Sequence, residues 1–184
     1  NWCHPYPVET HGSKSFKTHE ISEGAVAFRV DAFRAVGGYP DSFFISHEGA
    51  DLAWRLIGAG HEVWYRPEIA LRHAEATAGR PSWRRYYYDT RNVLWLAVRN
   101  FPRGYGLRRV ARQTSAMLIY AARDGYLRHW FRGCWDGLKG LRAELANRRV
   151  PEQAALREIR AIESNRPSFV YYARRRLFRR KVRI

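Results

Sequence analysis

Residues 24 to 60 read GAVAFRVDAFRAVGGYPDSFFISHEGADLAWRLIGAG, and the fold class turns on how this stretch divides. Gly24 to Val30 is short and β-prone, which predicts a buried strand. Asp31 then stands where a carboxylate can accept from the free amides of a helical first turn. Ala32, Phe33 and Val36 would pack inward before Gly37 and Gly38 end that helix. A second helix is expected from about Ala50 to Ala59, with Leu52 and Leu56 on one face and Gly60 at the stop. Beyond it Val63 and Tyr65 alternate with Glu62 and Trp64 in a strand closed by Pro67, and Ile69 to Arg72 makes another short extended piece. Three strands and two helices predict an α/β layer structure, incomplete by itself. Upstream, residues 1 to 20 are polar, with Pro5, Pro7 and Gly12, and read as a loop.

From Ser82 the apolar period changes to that of helices. Trp83, Tyr87, Thr90, Leu94 and Val98 fall on one face of a helix that stops near Asn100 and Pro102. Leu107, Val110, Ala111, Met117, Leu118 and Ala121 form a second stripe. Leu127, Trp130, Phe131, Cys134, Leu138, Leu141 and Leu145 form a third, in spite of Gly133, Gly137 and Gly140, which lower helix propensity. Pro151 suits the start of a fourth helix with Leu156, Ile159 and Ile162. The chain thus divides into an α/β part over 1–81, a helical extension over 82–163 and a basic tail over 164–184.

The 184 residues are 46% apolar and 15% aromatic, enough to build a core. The longest unbroken apolar run, Ala116 to Ala122, is about a third of the roughly 20 residues that cross a bilayer, so no spanning helix is expected. Only Cys3 and Cys134 occur, which excludes a disulfide framework and fits a reducing, cytoplasmic setting. The first residue is Asn1, with no leader-like segment after it, and the chain reads as a piece of a longer protein.

Net charge is +16, but residues 1 to 80 stand at −2 and residues 81 to 184 at +18. The tail is densest, with Arg174, Arg175, Arg176, Arg179, Arg180, Lys181 and Arg183. Such a segment favours a polyanion, either nucleic acid or an anionic membrane leaflet. Interleaved Phe169, Tyr171, Leu177, Phe178 and Val182 would give a helix one greasy and one cationic side, which favours the membrane. A basic nucleic-acid-binding module is the lesser alternative, because zinc spacing and RNA-binding signatures are absent from the sequence. A solvated tail without a partner is the plainest one.

Glu48, just before the second helix, and Asp51, in its first turn, can both face the helix N-terminus, where the macrodipole favours ionised carboxylates. Either could serve as a general base beside a cleft, or simply cap the helix. His73 is a metal ligand through neutral imidazole or an ordinary satisfied polar residue.

Taken in order, GAVAFR (Gly24, Ala25, Arg29), FRAVGGYP (Phe33 to Pro40), FFISHEGADLAWRL (Phe43 to Leu56), GHEVWYRP (Gly60, Tyr65, Pro67), His73 and YYYDTRN (Tyr87, Arg91, Asn92) resemble the C-terminal half of family 2 glycosyltransferases. The likeness is to bacterial rhamnosyltransferase-like enzymes that build cell-surface glycans, and RGCWDGLKGL at Arg132 to Leu141 is similar to their C-terminal extensions.

The resemblance implies the C-terminal part of a GT-A fold, a Rossmann-like α/β sandwich. It also implies a nucleotide-diphosphate sugar donor, a glycan or polyprenyl-linked acceptor, inversion at the anomeric carbon, and a divalent metal, Mg2+ or Mn2+. The nucleotide-binding half, with an Asp-x-Asp metal motif, would precede Asn1, leaving this chain the acceptor side. His73 matches a histidine that helps hold metal and diphosphate. In the family an Asp within Glu-Asp-x-Asp-Leu deprotonates the acceptor. Here Gly49 occupies that position between Glu48 and Asp51, so one of those two takes the proton, or the chain is a degenerate, glycan-binding scaffold. Gly24, Ala25, Phe44, His47, Trp54 and Arg55, with Phe43, would line or support the acceptor cleft, although any one of the aromatics could equally be core. Arg91 and Asn92 would join the first extension helix to the catalytic part. The enzyme would sit on the cytoplasmic face of the membrane as a peripheral protein, held by its tail.

Overall fold

The computed structural model describes residues 6–70 and 83–164. In order, the described elements are α1 (Val8–His11), β1 (Phe16–Lys17), α2 (Val30–Ala35), a 3-10 turn (Asp41–Phe43), α3 (Glu48–Gly58), β2 (Trp64–Tyr65), α4 (Trp83–Asn100), α5 (Arg103–Asp124), α6 (Leu127–Ala146) and α7 (Gln153–Ser164). The described residues are mostly helical, with one two-stranded sheet, so the expected three-strand layer is not what forms there.

β1 and β2 pair antiparallel, Phe16 opposite Tyr65 and Lys17 opposite Trp64. The Thr18 amide extends the ladder to the Val63 carbonyl at 2.9 Å, and the Phe16 and Tyr65 rings stack with centroids 4.8 Å apart. The alternation read over Glu62 to Tyr65 is present: Val63 and Tyr65 are turned inward, Glu62 and Trp64 outward. Residues 24 to 29 are not a strand, and Val26 and Val30 are exposed. Their β propensity has no ladder partner to act on, because β1 takes β2. The segment contributes one anchor, Phe28, whose ring lies 5.1 Å from Phe33 and 6.0 Å from Tyr39. Of the extended piece read at Ile69 to Arg72, only Ile69 and Ala70 are described, and the Ile69 amide closes a turn onto the Arg66 carbonyl.

α2 and α3 follow the expected pattern. Ala32, Val36, Leu52 and Leu56 share one small core, with Phe33 against it. Asp31 does not cap α2; it pairs with Arg29, the residue in the cap position. α3 ends as its sequence requires. The Gly60 amide donates to the Ile57 carbonyl and the His61 amide to the Leu56 carbonyl, each at 3.0 Å, and Gly60 supplies the positive φ of 84° that this Schellman closure needs.

The larger core joins α3, α4 and α7 through Phe43, Trp54, Ile57, Trp95, Leu96, Phe101, Leu156 and Ile159. It crosses the boundary read between 81 and 82, so α3 is covered by the helical extension and shares its core. α4 is the central helix, packed on α3, α5 and α6, and it buries Tyr86, Thr90, Asn92, Val93, Trp95, Leu96, Arg99 and Asn100 rather than one narrow stripe.

α6 departs furthest from its sequence reading. Its glycines form the contact face. A Cβ on Gly133 would stand 2.6 Å from the Tyr87 carbonyl oxygen, and one on Gly140 would stand 2.6 Å from the Trp95 ring. Removing the side chains lets the α4 and α6 backbones approach, and that packing offsets the lost helix propensity. Phe131, Leu138 and Leu145, read as core, are therefore turned outward, as is Leu107 on α5.

Candidate active site

The 3-10 turn leads into a short loop with three non-glycine residues at positive φ, namely Phe44 at 63°, Ser46 at 75° and His47 at 68°. Such backbone is held only where its surroundings over-determine it. Here α4 does the holding. The Asn92 side-chain amide, fully buried, donates to the carbonyls of Phe43 at 3.0 Å, Ile45 at 2.8 Å and Ser46 at 2.7 Å. Arg91 donates to the Ser42 and Phe43 carbonyls at 3.0 and 2.9 Å, its guanidinium 4.2 Å from the Trp95 ring centroid. The Ser46 hydroxyl donates to Asp89. Arg91 and Asn92 thus join extension and loop, the role read for them from sequence.

The loop delivers Glu48 at the first position of α3. Its Oε2 is buried and has no hydrogen-bond partner. Burial pushes the carboxyl above its ordinary range; its own backbone amide opposes the rise, and the negative charges of Glu23 and Asp89 add to it. Beside it the Tyr39 hydroxyl is likewise buried without a partner, its pKa pushed up to about 12 by burial and then by Glu23 and Glu48. It remains a proton donor at neutral pH.

Gly49 has no room for a side chain. A Cβ there would overlap the Glu23 carboxylate and stand 2.8 Å from the Ile21 carbonyl oxygen. A second carboxylate, from the loop before α2, therefore occupies the space beside Gly49 that a side chain would take. Glu23 is exposed, as is Phe44, whose ring leans on Tyr88 with centroids 5.5 Å apart. His47 sits behind the loop, and the Gln113 amide donates to its Nε2 at 2.8 Å. Burial lowers its pKa, with Arg109 acting in the same direction against Asp89 and Glu20, so the ring is held neutral.

Other candidates lie elsewhere. Asp51 has no exposed surface. Its carboxylate accepts from Arg55 Nε at 2.8 Å, Arg99 Nε at 2.7 Å and Asn100 Nδ2 at 2.6 Å, so it neither borders a cleft nor caps α3. Arg55 also donates to the Val36 and Gly38 carbonyls, and Arg99 continues to Glu144 of α6 at 2.7 Å. Asp51 and Arg55 are the interior of a buried ionic chain, which corrects the base reading of the one and the acceptor reading of the other. Trp54, 3% exposed, is core against Phe101 and Tyr105, and cannot line an acceptor cleft. Gly24 and Ala25 follow Glu23 in an exposed turn. His73 and the tail residues Arg174, Arg175, Arg176, Arg179, Arg180 and Lys181 lie outside the described residues, among which no group of three or more His, Cys, Asp and Glu side chains could hold a metal ion.

Two cavities flank these elements. One of about 470 Å³ is lined by Tyr105, Arg108, Arg109, Arg112 and Glu163. The other, of about 410 Å³, is lined by Trp83, Tyr87, Tyr88, Arg128, His129 and Arg132, and Tyr88 links it to Phe44. Glu23 and the Tyr88 cavity were not singled out in the sequence, and Tyr39 stood there only within the FRAVGGYP stretch that carries the resemblance, without a site role. The one available signal was Gly49 itself, since a glycine in a helix's first turn leaves room for another chain segment to approach.

No protein-family model matches the chain, and no solved structure does. Two curated relatives do in part. The chain is 32% identical over 71 residues to the O-antigen chain rhamnosyltransferase WbaN of Salmonella anatum, covering 39% of this chain and 22% of that protein. It is 33% identical over 94 residues to the pre-mycofactocin glycosyltransferase of Mycobacterium tuberculosis, covering 51% of this chain and 19% of the relative. The chain thus matches about a fifth of each relative's length, and both are glycosyltransferases.

Proposed function

We propose that this chain is the acceptor-side part of a glycosyltransferase of GT-A type, working with a nucleotide-binding half that precedes it in a longer protein. In this reading Glu48 is the base. It takes the proton from an acceptor hydroxyl as that oxygen attacks the anomeric carbon of a nucleotide-diphosphate sugar. The bond from that carbon to the diphosphate oxygen breaks on the opposite side, and the configuration inverts. Phe44 and the Tyr88 cavity offer aromatic faces to the acceptor glycan, and Tyr39 offers a hydroxyl donor. The observation that carries the assignment is the half-buried Glu48 carboxyl, whose Oε2 is enclosed without a hydrogen-bond partner and whose pKa is raised by burial, since a general base works best when its basicity approaches the operating pH.

The divalent cation expected from the resemblance finds no ligand set among the described residues, so no step is assigned to it here. A polyprenyl-linked glycan acceptor at the cytoplasmic face of a membrane fits the basic half of the chain and its scarce cysteines.

The test is Glu48→Gln in the full-length protein, assayed for nucleotide release and glycan product over a panel of nucleoside-diphosphate sugars that includes a rhamnosyl donor. Turnover should fall by roughly 100-fold to 10,000-fold with donor affinity unchanged. Full activity of the variant would overturn the assignment. Gly49 favours one second reading, a transferase-like protein that binds glycan without turnover; glycan binding with no product from the unaltered protein would establish it.

A further inference from the structure

α6 has two unlike faces. The inner one is the glycine face against α4, and it also buries Glu144. The outer one carries Phe131 and Trp135, each 60% exposed, Leu138 at 56% and Leu145 at 53%, with Leu127 at its start. At roughly 100° per residue these five fall within about a quarter of the circumference. Arg142 lies within the same sector and Arg128 and Lys139 beside it, and the Lys139 ammonium stands 5.0 Å from the Trp135 ring centroid.

The helix's two acids are drawn away from this face. Asp136 accepts from the Tyr87 hydroxyl at 2.8 Å and lies 3.6 Å from Arg132, while Glu144 is buried on Arg99. An apolar stripe with a cationic border and no free carboxylate is the pattern of a helix lying in a lipid headgroup boundary. A second copy of the chain is a poor occupant, because two such faces would press their arginines and lysines together. Nucleic acid would use the cations but leave Leu138 and Leu145 in contact with a polar surface. Among the described residues no helix is long and apolar enough to cross a membrane.

We propose that the outer face of α6 docks flat on an anionic lipid bilayer, with Phe131, Trp135, Leu138 and Leu145 sunk into the interface and the basic border against lipid phosphates. The inference stands independently of the glycosyltransferase reading, and it puts lipid contact in the folded helical part, apart from the tail after residue 164.

The test is flotation of the whole chain with phosphatidylcholine vesicles, with and without phosphatidylglycerol. The unaltered chain should float with the anionic vesicles, and less so as salt rises. Trp135→Ser with Leu138→Ser should weaken binding about tenfold or more, as should Lys139→Glu with Arg142→Glu. Both pairs are exposed, so thermal melts should be unchanged. Deleting 165–184 should leave binding through α6 detectable and still sensitive to the serine pair. Failure of the unaltered chain to float, undiminished flotation of either double variant, or loss of all binding on deleting 165–184 would each overturn the proposal. So would a concentration-dependent dimer abolished by the serine pair, or tighter binding to single-stranded RNA than to anionic vesicles. None of these readouts involves sugar transfer, so failure here leaves the proposed activity standing, and the converse holds.

Discussion

The Asp51 carboxylate and the Arg99 guanidinium meet at 2.7 Å in the interior, 48 positions apart in the chain. The pair is the middle of a chain of charges from Arg55 through Asp51 and Arg99 to Glu144, which ties α3 to α4 and α4 to α6. A carboxylate so enclosed serves the fold. Removing it leaves Arg55 without its counter-ion and Arg99 with Glu144 alone.

Asp51→Ala is therefore expected to cost about 3 to 5 kcal/mol, as when one partner of a buried ion pair is deleted, rather than the roughly 1 kcal/mol of a lost helix cap. Urea unfolding measures it. A loss of 1 kcal/mol or less would show that the network is not coupled to stability.

Glu48 gives the opposite sign. Its carboxyl holds a proton more tightly folded than unfolded, so its favourable contribution is complete below the ordinary glutamate range and is lost as pH rises through the raised folded value. Glu48→Gln should then raise the urea midpoint at about pH 8, with the gain shrinking toward about pH 4. A variant less stable than the parent at the higher pH would contradict the burial argument, whatever its turnover.

At position 49 the obstacle is steric. Gly49→Ala brings a methyl group against the Ile21 carbonyl and the Glu23 carboxylate, and overpacking of this kind costs about 1 to 3 kcal/mol. Glu23→Ala in the same chain should recover part of the loss, because a carboxylate on a flexible stem yields more readily than a backbone carbonyl. A double-mutant cycle with no coupling between 23 and 49 would show that the two positions do not meet.

In α6, Gly133→Ala sets propensity against packing. Alanine is worth about 1 kcal/mol in an isolated helix, yet here its methyl group meets the Tyr87 carbonyl. The expected outcome is a net loss of about 1 to 3 kcal/mol, read as a lower melting temperature. A stabilised variant would mean that α4 and α6 stand further apart.

Local signals made much of this legible. The 3.6-residue period located α3, α4, α5, α6 and α7, and Gly60 marked the end of α3 because the stop is written in neighbouring residues. Gly24 to Val30 misled because a strand is defined by its partner, and none pairs with it here. The glycines of α6 misled for a related reason: propensity counts what an isolated helix loses, and Tyr87, Leu94 and Trp95, the residues that exploit the gap, are 40 or more positions upstream. At the candidate site the place of Glu48 just before α3 was legible, whereas Phe44 was singled out only by the family resemblance. The burial of Asp51, Trp54 and Arg55 was not, because Arg99, Asn100 and Phe101 had first to be folded over them.

Asn92 has one amide group and three carbonyls to satisfy, and through it α4 dictates the backbone path of the segment that presents Phe44 and Glu48. A module transplanted with its site intact therefore has to run from Glu23 at least to Arg132, across the apparent seam near residue 81. A chimera joined at that seam, with helices borrowed from elsewhere, would inherit the carboxylates and lose the geometry that aims them.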